Sequence, residues 1–144
     1  MDGDAKILES LNLKTGDIVK YVNDAEGKVC AAAKVFDGTT HDLTPPSPYY
    51  PDDYGNSFQV RANSAYKLDG TNLYLSDSRI QNERLSRMEA VPLSTAAVYR
   101  VTSGKKIEKI TLNEVKTFKD YGRAVYAFAM LCYGVGRILV VYEN

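Results

Sequence analysis

The 144-residue sequence contains no tryptophan, one histidine and two cysteines. A zinc site needs several His or Cys ligands at paired spacings, and three such residues far apart do not supply them. His41 and Asp42 are the only basis for a Ser-His-Asp arrangement, but no nucleophile elbow or cysteine signature accompanies them. We therefore expect His41 to be a surface-loop residue, and the sequence predicts no metal, no cofactor and no enzyme activity.

The chain also lacks net charge, because 18 Lys and Arg residues balance 18 Asp and Glu residues. Such a balance gives no field that would attract nucleic acid or an anionic membrane. Two small groups are the candidates for stacking and phosphate contacts: Lys105, Lys106 and Lys109, and Arg61, Lys67 and Tyr74. Without tryptophan or excess positive charge, we predict no nucleic-acid partner.

Long apolar runs are absent as well, and none approaches the roughly 20 residues that a membrane-spanning helix needs. The N-terminal stretch MDGDAKILES has neither the basic nor the apolar region of a secretory signal. We predict no membrane insertion. Cys30 and Cys132 lie in apolar segments, where free thiols behave as small hydrophobes. A disulfide between them stays open as the alternative.

Strand patterns dominate the rest of the sequence. In SFQVRANSAYKL one parity carries the residues expected to be buried, Phe58, Val60, Ala62, Tyr66 and Leu68. The Asp-Gly pair in KLDGT then predicts a hairpin into LYLS. Upstream, DIVKYV and KVCAAAKVF flank the turn NDAEG, and DAKILESLNL favours a short helix.

The C-terminal half continues the series of strands. AAVYRV leads through SGKK to TLNEVKTF, where Thr111 and Glu114 predict a capping box and a helical turn. RAVYAFAMLCY and RILVVYE meet at Gly134 and Gly136, which favour a tight turn over a phosphate-binding loop. Both segments are apolar on both faces, so we expect them at the centre of a sheet or covered by a neighbour.

About eight strands with turn signals between them predict an all-β, mainly antiparallel fold. We expect a small β-barrel or a two-lobed barrel with one or two short helices. The sequence is interpreted as a single β-rich domain over residues 1–144. A division into two sub-lobes, about residues 1–76 and 77–144, stays open as the alternative.

Residues 44–57, TPPSPYYPDDYGNS, form the most unusual segment, and the pattern predicts a long Pro/Tyr-rich loop between two strands. Exposed aromatic rings and nearby carboxylates are the groups with which a loop binds sugars. The candidate ligand-binding residues are therefore Tyr49, Tyr50, Asp52, Asp53 and Tyr54. Packing of prolines on tyrosines to order the loop is the competing interpretation.

Calcium is a second chemistry for this region, because Asp37, Asp42, Asp52 and Asp53 surround the proline stretch. The aspartates have neither the spacing of an EF-hand nor a repeated acidic motif. We interpret them as solvated loop charges, and no metal is predicted.

Three segments resemble a known family. LKTGDIVKYVNDAEGKVCAA resembles the opening of a β-rich module in clostridial surface proteins that carry S-layer homology or related wall-attachment domains. FQVRANSAYKLDGTNLYLS fits its middle hairpin, and the segment from AAVYRV to the C-terminus resembles its closing half. The resemblance implies a non-catalytic module of a longer, exported protein, located outside the cell. Cell-wall polymer, glycan or other domains of the same protein are the partners that it implies, and no binding residue is transferred.

The sequence leaves three functions open. The first is a structural or adhesive module of a bacterial surface protein. The second is a β-barrel that binds glycan or another small ligand through the Pro/Tyr-rich loop. The third is a phage or virion structural protein, since such assemblies also use small β-barrels.

Overall fold

The structure, a computed structural model, describes residues 11–43, 58–76, 88–103, 105–123 and 125–143. The chain is mostly β and forms two compact units, Met1–Asp53 and Tyr54–Asn144. One 3-10 helix, Leu112–Glu114, and one short α-helix, α1 (Phe118–Tyr121), precede the last two strands. The described strands are β1 (Ile18–Asn23), β2 (Val29–Asp37), β3 (Asp42–Leu43), β4 (Phe58–Asp69), β5 (Asn72–Ser76), β6 (Glu89–Pro92), β7 (Ala97–Thr102), β8 (Lys106–Ile110), β9 (Tyr126–Cys132) and β10 (Val135–Glu143).

The first unit contains a small antiparallel sheet in the order β1-β2-β3. The predicted NDAEG turn joins β1 to β2, and its backbone is held by Asp24, whose Oδ1 accepts the N–H groups of Glu26 and Lys28. Gly27 has a φ of 84°, in the left-handed region that favours glycine. The sheet buries Val35 and Phe36 of β2.

The second unit contains a seven-stranded sheet in the order β6-β5-β4-β9-β10-β7-β8. The prediction that the two doubly apolar segments are central is confirmed, since β9 and β10 occupy the middle of the sheet. Leu139 and Val141 are buried in the core on one face, and Phe128 and Val140 are buried on the other. All neighbouring strands are antiparallel except β7 and β10, which run parallel.

The predicted closed barrel is wrong. Among the described residues the sheet ends at β6 and at β8, and these strands do not pair with each other. The sheet curls far enough that a Cβ placed on Gly136 of β10 would lie 2.7 Å from the carbonyl oxygen of Pro92 in β6. The curled sheet does not close into a barrel, because β10 pairs in parallel with β7 and the sheet continues outward to β8. A parallel pairing leaves no turn signal from which the sequence would reveal it.

The side chains of β4 do not keep the uninterrupted alternation between two faces that the sequence predicts. Its register with β5 shifts around Tyr66, which is the extra residue of a β-bulge. Before the bulge, Ala62 lies opposite Phe128, while Arg61 lies on the face of the core. After the bulge, Leu68 packs against that core. The predicted buried set is therefore divided between two faces of the sheet.

The two predicted hairpins of this sheet are confirmed. β4 and β5 are joined by a turn that begins at Gly70, whose φ of 62° matches the first turn position of a type II′ hairpin. The turn therefore lies one residue later than it would if the Asp-Gly pair occupied its two central positions. β9 and β10 are joined by Tyr133 and Gly134, both with positive φ, as in a type I′ turn. Since β4 and β5 belong to the same sheet as β6 to β10, residues 58–76 do not fall into a separate N-terminal lobe.

The core of the second unit lies on the concave face of the sheet and includes Leu73, Val91, Leu93, Val98, Ala129, Leu139 and Val141. The connection from β8 to β9 covers part of it with Val115 and Tyr121. The predicted capping interaction is present there, because the Glu114 carboxylate accepts hydrogen bonds from the N–H and the hydroxyl of Thr111. The predicted N-terminal helix falls mainly on residues 1–10, outside the described residues.

Candidate functional site

The five residues that the sequence proposes for ligand binding are Tyr49, Tyr50, Asp52, Asp53 and Tyr54, and all of them lie outside the described residues. The described chain stops at Leu43, the end of β3, and resumes at Phe58, the start of β4. The glycan-binding role of the Pro/Tyr-rich segment therefore stays a prediction.

His41 lies in the turn between β2 and β3. Its N–H donates to the carbonyl oxygen of Asp37 at 2.8 Å, and its φ of 61° is in the left-handed region. The imidazole ring is 6.5 Å from the ring of Phe36, measured between centroids. These contacts give His41 a structural place in a turn, as the sequence predicts for a loop histidine.

Asp17 is a buried carboxylate of the first unit with three partners. Its side chain is only 2% exposed and lies 3.1 Å from Nζ of Lys34. The carboxylate also accepts the backbone N–H groups of Lys14 at 2.9 Å and of Gly38 at 2.8 Å. Asp17 therefore fixes the segment before β1 to the turn after β2, a link that local sequence patterns do not reveal.

Asp37 is one of the aspartates near the proline stretch that calcium chemistry would use, and its carboxylate builds a turn. Oδ1 accepts the N–H groups of Thr39 and Thr40 at 2.7 and 3.1 Å. These two hydrogen bonds hold the pKa of the Asp37 carboxyl below its usual value, and the bond from Thr40 has the larger effect. The positive charge of Lys34 lowers the pKa further. Within the described residues, no group of three or more His, Cys, Asp or Glu side chains is arranged to hold a metal ion.

A charged group of the second unit is centred on Arg100 of β7. Its Nε and Nη2 donate to Oε1 of Glu108, the residue directly opposite on β8, at 3.0 and 2.7 Å. This hydrogen bonding raises the pKa of Arg100 and lowers the pKa of Glu108. Lys106 lies 3.7 Å from the same carboxylate.

Glu143, the last residue of β10, extends this group into the protein. It is 7% exposed, with Oε2 at 3.6 Å from Nη1 of Arg100 and Oε1 at 3.4 Å from Nζ of Lys116. Oε2 has no hydrogen-bond partner among the residues that the structure describes. Lys116 also lies over the ring of Tyr121, 4.8 Å from its centroid, and Arg123 lies at the same distance from that ring.

This charged group is absent from the sequence-based predictions. Arg100 and Glu108 are eight residues apart and face each other across the β7–β8 hairpin. Glu143 is distant in the chain and becomes their neighbour only through the parallel pairing of β10 with β7. A local signal for the Arg100–Glu108 pair is the SGKK turn, because the hairpin that it closes places these two residues opposite each other. In this group, positive and negative side chains on neighbouring strands bind each other, and these contacts stabilise the end of the sheet. The group brings no nucleophile into contact with a base.

A second cross-strand pair lies at the other end of the sheet. Nε of Arg61 on β4 is 2.7 Å from Oε1 of Glu89 on β6, and its Nη2 donates to Oε1 of Gln59. Lys67 and Tyr74 are opposite each other on β4 and β5, on the face that Arg61 does not share. The group Arg61, Lys67 and Tyr74 considered for nucleic acid therefore does not form one surface.

The remaining predicted features concern cysteine and glycine. Cys132, at the end of β9, is a free thiol. Gly134 has a φ of 78° in the β9–β10 turn, which confirms the tight-turn interpretation of YGVGR. Tyr133 precedes it and is 80% exposed.

Comparison with known proteins adds no assignment: no family model, no curated protein and no solved structure matches the chain. Among the described residues, no helix has the length and apolar character needed to span a membrane.

Proposed function

We propose that the chain is a non-catalytic structural or adhesive module of an exported bacterial surface protein. The observation that carries the proposal is the use of its charged side chains. Asp17 with Lys34, Arg61 with Glu89, and Arg100 with Glu108 each join separate parts of a sheet at 2.7 to 3.1 Å. Oppositely charged side chains arranged in this way hold the sheets together, which supports a structural role.

The strand and turn pattern supports the same proposal from another direction. The segments that resemble the clostridial surface module include the NDAEG turn after β1, the β4–β5 hairpin and the final β9–β10 pair, all of which form in the structure. Such a module works as one part of a longer exported chain. Its partners are expected among cell-wall polymers, glycans and neighbouring domains of the same protein.

The proposal is tested by treating intact source cells with a protease and probing with an antibody raised to this chain. Loss of the signal from intact cells, while a cytosolic control protein stays whole, is the expected result. A signal that survives on intact cells and disappears only after lysis would contradict the exported location.

A further inference from the structure

Strand β8 is the free edge of the seven-stranded sheet. It pairs with β7 on one side, and among the described residues no strand lies on its other side. An edge of this kind carries unpaired backbone N–H and C=O groups that another extended chain can bind.

The hydrogen-bond pattern identifies which groups of β8 point outward. The N–H of Ser103 donates to the carbonyl oxygen of Glu143. With Thr102 opposite Glu143 in the parallel pair, the backbone groups of Thr102 and Arg100 therefore point to β8. Their partners on β8, Lys106 and Glu108, point back to β7. The N–H and C=O groups of the alternate residues, Ile107 and Lys109, are directed away from the sheet.

The side chains along this edge have a definite character. Ile107 is 55% exposed, although it is apolar. Lys105, Lys106 and Lys109 are also exposed, whereas Glu108 is half-buried and bound by Arg100. Lys106 lies 3.7 Å from Glu108, whereas Lys105 and Lys109 have no ion pair among the described residues. The edge therefore combines one apolar contact with the positive charge of Lys105 and Lys109. The opposite edge, β6, carries Pro92, which removes a backbone donor, and Glu89, which is engaged by Arg61.

We propose that β8 binds an extended acidic peptide segment by strand addition. The backbone of the segment would pair with Ile107 and Lys109. On the face that these two residues share, it would place an apolar side chain opposite Ile107 and acidic side chains opposite Lys105 and Lys109. Strand addition derives its affinity from main-chain hydrogen bonds and its selectivity from alternate side chains.

The charge of the edge selects this occupant over a second copy of the chain. Two β8 strands placed side by side would bring their exposed lysines together, and like charges on opposed strands destabilise the pairing. In a two-fold arrangement centred on Ile107, Lys105 of one copy faces Lys109 of the other. An acidic segment meets the same lysines with the opposite charge.

The test uses a short, blocked, fluorescent peptide in which Glu, Val and Glu alternate with Thr. We expect fluorescence anisotropy to detect its binding at peptide concentrations up to about 1 mM, and added salt to weaken it because the charges are exposed. A peptide with Lys in place of Glu serves as the control and should not bind. Amide hydrogen exchange should slow at Ile107 and Lys109 in the presence of the acidic peptide.

Three variants separate the edge from the rest of the surface. Lys109→Glu should weaken binding at least about fivefold at low salt, whereas Lys119→Glu, on α1, should leave it unchanged. Ile107→Pro removes an outward N–H without taking a hydrogen bond from β7, and it should abolish binding. Circular dichroism establishes that each variant is folded, and Lys109→Glu remains informative if the proline variant is not.

Several results would overturn the proposal. They are the absence of binding by the acidic peptide at about 1 mM, equal loss of affinity in Lys109→Glu and Lys119→Glu, and exchange protection confined to other strands. Light scattering that reveals a dimer broken by Ile107→Pro would assign the edge to a second copy instead.

Discussion

Arg100 of β7 donates two hydrogen bonds, at 3.0 and 2.7 Å, to a single carboxylate oxygen of Glu108 on β8. The same guanidinium group lies 3.6 Å from Glu143 of β10. One side chain thus links the three strands that form one end of the sheet. Glu143 comes from a distant stretch of the chain, so its link to Arg100 holds the parallel β10–β7 pairing, which no turn maintains. β7 and β8 are in addition joined by a short turn.

The Arg100–Glu108 pair predicts a pH dependence of stability. Hydrogen bonding from Arg100 lowers the pKa of Glu108 in the folded protein, whereas a glutamate in the unfolded chain has a pKa of about 4.3. The unfolded state therefore binds the proton first as the pH falls. The stabilisation is complete above about pH 5 and is lost as the pH falls from about 4.3 through the lower pKa of the folded state.

Glu108→Gln removes this titration and should be less stable than the native protein at pH 7. Urea unfolding at about pH 7 and about pH 3 should give a difference between the two proteins that narrows in acid. A difference of the same size at both pH values would mean that Glu108 contributes through packing rather than through its charge.

Gly136 is the point at which β10 meets the residues of β6. A Cβ at this position would lie 2.7 Å from both the carbonyl oxygen of Pro92 and Cδ2 of Leu93. Gly136→Ala should therefore lower the free energy of unfolding by about 2 kcal/mol, because a backbone oxygen cannot move aside as a flexible side chain does.

The control is Gly134→Asn, in the turn that precedes Gly136. Among the described residues, no atom lies within 4 Å of a Cβ placed there, and asparagine tolerates the left-handed φ of 78°. Its cost should stay below about 1 kcal/mol in chemical denaturation. Equal costs for the two substitutions would show that the approach of β6 to β10 is not tight.

Asp17 predicts a local effect in the first unit. Asp17→Ala removes the acceptor for the N–H of Gly38 and the partner of Lys34. The loss should be about 2 kcal/mol, because the Asp17 side chain is buried and one of its partners is half-buried. Hydrogen exchange of the β1 and β2 amides should accelerate accordingly.

The comparison variant is Asp24→Ala, which removes two exposed hydrogen bonds of the β1–β2 turn. We expect it to cost about 1 kcal/mol or less. Should Asp24→Ala accelerate exchange in β2 more than Asp17→Ala does, the turn and not the Asp17 contacts would be what holds this sheet.

Tyr133 offers a stabilising substitution. It occupies the first turn position of the β9–β10 hairpin with a φ of 51° and is 80% exposed, so little packing is lost on its removal. Tyr133→Asn should raise the free energy of unfolding by about 0.5 kcal/mol, because asparagine is favoured at this position of a type I′ turn. A decrease in stability would indicate that the tyrosine ring makes a contact important to the fold.

The sequence predicts the local features of the fold well. The turns at Gly27, Gly70 and Gly134 follow from residues that allow positive φ, and the central place of β9 and β10 follows from their apolar character on both faces. These features depend on neighbours within a few residues. The same is true of Glu114, whose capping of Thr111 requires only a spacing of three.

The features that escaped prediction depend on distant pairings. The bulge at Tyr66 moves Arg61 to the core face, although in the sequence it alternates as an outward residue. The parallel pairing of β7 with β10 brings Arg100 next to Glu143, and no turn signal in the sequence predicts this pairing. The place of Glu143 beside Arg100 could not be predicted for this reason, and the barrel prediction was wrong for the same reason.

The most direct test of the proposed function is the size and location of the native polypeptide. Source cells are separated into wall, membrane and cytosolic fractions and blotted with an antibody to this chain. A band well above 16.0 kDa in the wall fraction is the predicted result, because it identifies one module of a longer exported protein. A 16.0 kDa band confined to the cytosol would contradict the account.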